Sequence, residues 1–135
     1  MALQLSAAVR NAMLDAIETT IGTSAVLKIR TGAPPASVAT ADSGTVLATL
    51  TLPSDWMAAA SSGSKAKSGT WEDASADAAG TAAHYRIYAS DGTTPHLQGT
   101  VTATGGGGDL TVDNTSFAAG QSFTVTSYSW TAANS

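Results

Sequence analysis

Cysteine is absent from this chain, and charge is scarce: charged residues make up 12% of it, about half the share of an average globular domain. The first absence excludes a disulfide framework and a zinc site built on thiolates. The second leaves little like-charge repulsion to oppose close neighbours in a crowded assembly. Six basic residues are scattered against ten acidic ones, for a net charge of −4, so the clustered Lys and Arg that displace counterions from nucleic acid are missing. Long apolar runs are missing too. No stretch approaches the ~20 residues of a membrane helix. Arg10, Asp15 and Glu18 interrupt the segment where the apolar core of a signal peptide would lie, so export by that route is not expected. Neither nucleic acid nor membrane is an expected partner, and the composition suits a cytoplasm as the place of synthesis and assembly.

Ala, Ser, Thr and Gly fill the gap that charge leaves, over a length that bounds one domain with a feasible core. Near the start, Ser6 is a helix cap, and Val9, Met13 and Ile17 recur every four residues, with Leu5 and Ile21 at the ends of the stripe. Gly22 stops the helix. Arg10, Asn11, Asp15 and Glu18 mark its opposite, polar side. An isolated helix of this length is marginal in water and must pack, either on the sheet that follows or on a neighbouring subunit.

From residue 25 the period changes to two. Leu27, Ile29 and Thr31 face one way, and Val26, Lys28 and Arg30 the other, before Pro34 and Pro35 end the strand. Val46, Ala48, Leu50 and Leu52 align on a second strand that Pro53 terminates, and Trp56 then tucks against the core. Residues 58 to 69 are small and polar and read as a mobile loop, with a short strand at Thr70 and Trp71 and an acidic loop from Glu72 to Gly80. A clean strand covers 82 to 89, with Ala83, Tyr85 and Ile87 opposed to His84, Arg86 and Tyr88. Asp91-Gly92 is the hairpin signal that follows. Leu97, Gly99 and Val101 share a face of the returning strand, Gly105 to Gly108 read as a flexible link, Leu110 and Val112 mark a brief strand, and Phe117 is an anchor.

The last strand, 121 to 130, presents Phe123 and Val125 at one parity and Tyr128 and Trp130 at the other. Either a bulge near Ser127 turns both pairs inward, or both faces are covered, one by the core and one by a partner; the bulge is the simpler account. The whole reads as a mainly β domain, an antiparallel sandwich or jelly roll of about seven strands over residues 23 to 135, preceded by a helical arm over residues 1 to 22.

Motifs with chemistry are weak. His84 and His96 are expected on the surface or rim, without a third metal ligand at a fixed spacing. Glu72, Asp73 and Asp77 lack the glycine-hinged pattern of a calcium loop. Ser62 with Lys65, and Ser64 with Lys67, match Ser-x-x-Lys only by chance in a serine-rich stretch, and the glycine run lacks the Lys-Ser/Thr of a phosphate loop. No enzyme activity, cofactor or metal is expected. Tyr85, Tyr88, Tyr128, Trp56, Trp71 and Trp130 are stacking surfaces for sugar rings if they are not core.

The series Tyr85-Arg86-Ile87-Tyr88-Ala89-Ser90-Asp91-Gly92, Leu97-Gln98-Gly99-Thr100-Val101, Gly108-Asp109-Leu110-Thr111-Val112 and Ala119 to Ser127, with a short helix ahead of Leu27-Lys28-Ile29-Arg30-Thr31-Gly32, resembles small structural proteins of tailed bacteriophages and prophages. Within that class it looks most like a head decoration, or cement, protein. The resemblance implies a location in the virion, the major capsid protein or another virion protein as partner, and a homo-oligomer, with a trimer favoured. A tail or fibre-adaptor component is the alternative within virions; a carbohydrate-binding or adhesive sandwich module is the alternative outside them. Candidate interface residues are Val9, Met13 and Ile17 on the helix, and Tyr128 and Trp130 on the last strand.

Overall fold

The computed structural model describes residues 3–132. One helix, α1 (Ala7–Ile21), precedes ten strands: β1 (Val26–Arg30), β2 (Val46–Thr51), β3 (Ser64–Ala66), β4 (Glu72–Asp73), β5 (Gly80–Thr81), β6 (His84–Tyr88), β7 (Pro95–Ala103), β8 (Leu110–Val112), β9 (Ser116–Phe117) and β10 (Phe123–Thr131). The fold is mainly β, as the residue pattern predicts. The sheet runs β2-β1-β6-β7-β8-β10-β3, with β4 also on β10 and a separate β5-β9 pair. It is mixed rather than purely antiparallel, because β7 and β8 run parallel.

That parallel pair corrects the expectation of a loose link at the glycines. Parallel neighbours ordinarily need a crossover of a dozen or more residues, yet Val101 pairs with Leu110 and Ala103 with Val112. The chain doubles back upon itself, with Gly105 and Gly107 at φ 88° and 82°. Gly106 lies so close to Thr102 that a Cβ would sit 2.7 Å from that side chain, and Gly108 donates its N–H to Thr102 Oγ1 at 2.9 Å. Gly106 and Gly108 are packed against Thr102, whereas Gly105 and Gly107 face open space and supply the positive φ of the turn.

β10 organises the rest. Phe123 and Thr124 pair with β4, Val125 to Tyr128 with β8 on the other side, and Ser129 to Thr131 with β3. Its register shifts between Val125 and Ser127. This bulge turns Tyr128 to the same interior as Phe123 and Val125, so all three are buried. Thr126, the extra residue, shares its hydroxyl with Thr104 and Thr111. The sheet also curls until β4 approaches β2: Asp73 Oδ2 accepts from Thr49 N at 3.1 Å, and Asp77 N donates to Leu47 O at 2.7 Å. The acidic loop thus covers the outer edge of β2, satisfying groups that would otherwise invite another strand.

Two further expectations change. Residues 57 to 67 form a tight hairpin, not a mobile loop. Met57 bridges Lys67, Ser61 and Ser64 exchange backbone bonds, and Ser62-Gly63 make the turn with φ of 53° and 74°. On the far side of β1 and β6, Arg30, His84, Arg86 and Tyr88 are buried under the segment from Gly32 to Gly44, which corrects the surface or rim position expected of His84. Arg86 is fully buried, with Nη1 on Asp42 at 2.7 Å and Nη2 on the carbonyls of Ser37 and Thr40 at 3.0 and 2.8 Å. Arg30 reaches Asp42 at 2.9 Å. His84 is fully buried beside them, Nδ1 donating to Gly32 O at 2.7 Å, whereas His96 is exposed. A solvent-facing reading fails because alternation marks two faces without saying which one a loop will roof.

Gly106→Ala is expected to cost about 1–3 kcal/mol by overpacking, measured by denaturant unfolding. Burial, then the charges of Arg30 and Arg86, hold the His84 imidazole below its ordinary 6.5. The unfolded chain therefore takes up that proton first, and stability is expected to fall as pH drops below 6.5. His84→Gln is expected to flatten this limb in pH-dependent melting.

Candidate functional site

α1 forms where its sequence signals place it. Ser6 Oγ accepts from Val9 N at 3.2 Å, and Gly22, with φ 95°, donates to Glu18 O at 2.9 Å. Trp56 Nε1 then bonds Gly22 O at 2.9 Å and ties the helix end to the core. The helix nevertheless docks by its polar side as well as by Leu14, Ile17 and Ile21. Its polar side faces the protein: Asn11 Oδ1 accepts from Gly63 N at 2.9 Å, Asp15 Oδ1 from Ala60 N at 3.3 Å, and Glu18 Oε2 from Met57 N at 3.2 Å. These are backbone donors of the hairpin edge, so the helix supplies the acceptors that another strand would.

Lys65 completes the contact. Its side chain is 2% exposed, and Nζ lies 2.7 Å from Asp15 and 2.9 Å from Glu18. Burial pulls the ammonium down, but its bonds to the two carboxylates outweigh burial and its pKa is raised overall; the bond from Lys65 holds Asp15 below the usual carboxylate range. A lysine so held stays charged and cannot serve Ser62 as a base.

On the outer side, Val9 and Met13 are 46% and 51% exposed, and Leu3 beyond the helix start is exposed as well. Ala12, Ala16, Thr19 and Thr20 share that exposure, while Arg10, Asp15 and Glu18, which carry the charge of α1, all contact the body. The strip of Val9, Ala12, Met13 and Ala16 is therefore uncharged, although the Asp15 side chain, on the other side of the helix, keeps about half of its exposure beside Lys65. Ile17 is partly buried against the core, where Leu14 and Ile21 are the buried anchors. A groove of about 300 Å³ runs beside the strip, bounded by Met13, Ala16, Ile17, Thr20, Ile21 and His96. Of the expected residues, the structure brings Val9, Met13 and Ile17 together here. Leu14 escaped notice because it stands outside the four-residue stripe.

Tyr128 and Trp130 lie elsewhere. Tyr128 is buried in the core and Trp130 is half-buried, edge-on to Tyr128 and Trp56 at 5.9 and 5.7 Å. Both line a second cleft, of about 430 Å³, with Tyr85, Leu97, Gln98 and Asp109. Trp130 Nε1 donates to Tyr128 Oη at 2.8 Å, and the hydroxyls of Tyr128 and Tyr85 lie 2.8 Å apart. Burial pushes the Tyr128 phenol up to about 12 and Tyr85 higher still, so both keep their hydrogens through the neutral range. No group of three metal-ligating side chains occurs among the described residues, and none of their helices is long and apolar enough to cross a membrane. Comparison of the chain with protein-family models, with curated proteins and with solved structures finds no match.

The helix contact has a defined pH window. Asp15, lowered, stabilises above its ordinary 3.8 and loses that contribution as pH falls through its folded value; Lys65, raised, stabilises below its ordinary 10.5 and loses it as pH rises through its folded value. Helix docking should hold between these limits and weaken at each end. Lys65→Met is expected to lower the melting temperature at neutral pH and abolish the alkaline limb, with tryptophan fluorescence reporting the Trp56 contact.

Proposed function

We propose that the chain is a structural component of a tailed-phage virion, a head decoration protein that self-associates and seats on the outer capsid. The observation that carries this reading is the uncharged outer face of α1, with Val9 and Met13 half exposed on a helix already fixed to its own domain by the opposite side. An apolar strip on a rigid element is an assembly surface, and its lack of charge suits contact between identical copies, which would otherwise bring like charges together. The scarcity of charge over the whole chain and the resemblance in its β segments support the same reading. Lys65 is committed to Asp15 and Glu18, so it is not free to act as a base for Ser62.

In light scattering after size exclusion, the wild type is expected to be oligomeric. Val9→Glu with Met13→Glu should give a monomer whose melting temperature is nearly unchanged, because both positions are exposed. Immunogold labelling of particles from the organism that encodes the chain should decorate heads. A monomeric wild type, or unlabelled heads, overturns the proposal.

A further inference from the structure

The cleft between β7, β8 and β10 has a property that assembly does not use. Tyr85 and Tyr128 are 2% and 4% exposed, and both line it. Their two hydroxyls carry two hydrogens. The single O–H···O bond between them consumes one, and Trp130 Nε1 adds a third hydrogen to the same pair as donor to Tyr128. One phenolic hydrogen is therefore left over whichever way the pair is oriented, and no protein acceptor takes it up among the described residues. That hydrogen is left for whatever fills the open cleft, water in the free protein and an acceptor oxygen of a ligand that displaces it.

The remaining wall defines that occupant. Asp109, exposed at the rim, uses Oδ2 for the amide and hydroxyl of Thr100 at 2.9 and 3.0 Å, so its carboxylate is oriented before any ligand arrives. It supplies an acceptor. Leu97 and Trp130 supply apolar surface, and Trp130 cannot turn away because its indole N–H is held by Tyr128. An oriented carboxylate, a spare buried donor and an aromatic wall match the alternating hydroxyls and C–H faces of a pyranose. The cleft contains a carboxylate and no basic side chain, which disfavours sulfated, phosphorylated and sialylated sugars.

We propose that this cleft is a binding site for one neutral hexopyranose unit of a glycan. It is separate from the α1 surface, so the oligomer and the glycan site stand or fall independently. The full chain is tested on an array of neutral oligosaccharides, monosaccharides and anionic glycans, with hits measured by saturation-transfer NMR and calorimetry. Binding to neutral members is expected. Preference for an oligosaccharide over its free monosaccharide identifies a polymer as the source; equal affinity identifies the free sugar. Ser129→Trp fills the cleft from an exposed strand position and should abolish binding while the melting temperature holds. Tyr85→Phe with Tyr128→Phe keeps both rings, removes the donor, and should weaken binding about tenfold. No neutral hit from the wild type, or binding undiminished in a folded Ser129→Trp protein, overturns the proposal.

Discussion

One contact fixes how the helix lies against the edge of the sheet, that of the polar side of α1 with the hairpin that carries β3. Asn11, Asp15 and Glu18 accept from the backbone at 63, 60 and 57, and the two carboxylates share the buried ammonium of Lys65. An unpaired strand edge costs free energy when buried and recruits foreign strands when exposed. The helix resolves both by offering side-chain oxygens where a further strand would offer carbonyls. A charged residue pointing inward from a short edge strand serves the same end. With that side turned inward, the first part of the apolar stripe, Val9 and Met13, faces out, while Ile17 and Ile21 at its end pack on the core.

The opposite edge is treated in the same way by a different segment. On β2, Asp73 and Asp77 engage Thr49 and Leu47, so carboxylates and a loop amide close that side. With both margins occupied, association by strand addition is blocked at the places a curled open sheet ordinarily offers. The outer face of β1 and β6 is also removed from use, because Arg86 fastens the segment from Ser37 to Asp42 over it by four backbone or carboxylate contacts. Among the described residues, the helix strip and the cleft beside Trp130 stay accessible, as does a cavity of about 480 Å³ bounded by Glu18, Gly22, Ser54 and Asp55.

This explains which features were legible in the residues alone. The helix with its Ser6 and Gly22 ends, the strand alternation, the Asp91-Gly92 turn and the bulge in β10 all depend on neighbours close in sequence, and all were readable. Asp91 bonds Thr93 and Thr94 as such a turn requires. Orientation was not readable. An amphipathic helix is ordinarily docked by its apolar side, and here the acceptors demanded by residues 57 to 63, distant in sequence, outweighed that preference. The same holds for Arg30, His84 and Arg86, whose burial depends on a loop whose own sequence gives no periodic signal. Ser62-Gly63 was a readable turn signal, hidden by the low complexity around it.

The cleft follows from three local irregularities acting together. The extra residue at Thr126 brings Tyr128 to the inner side of β10, within hydrogen-bond distance of Tyr85. Gly99, opposite Tyr85 on β7, leaves that ring room: a Cβ there would lie 2.7 Å from the Tyr85 hydroxyl and 2.9 Å from Asp109 Oδ2. The doubled-back glycines then return the chain beside β7 quickly enough for Asp109 to bond Thr100. Remove the bulge and Tyr128 points away; give Gly99 a side chain and Tyr85 and Asp109 cannot share the space; lengthen the glycine turn and the carboxylate loses its anchor. A bulge, a bare strand position and a glycine run each weaken a sheet when taken singly. Their convergence on one concavity, at the seam where the sheet changes from antiparallel to parallel, is the strongest reason to regard that concavity as built for a ligand.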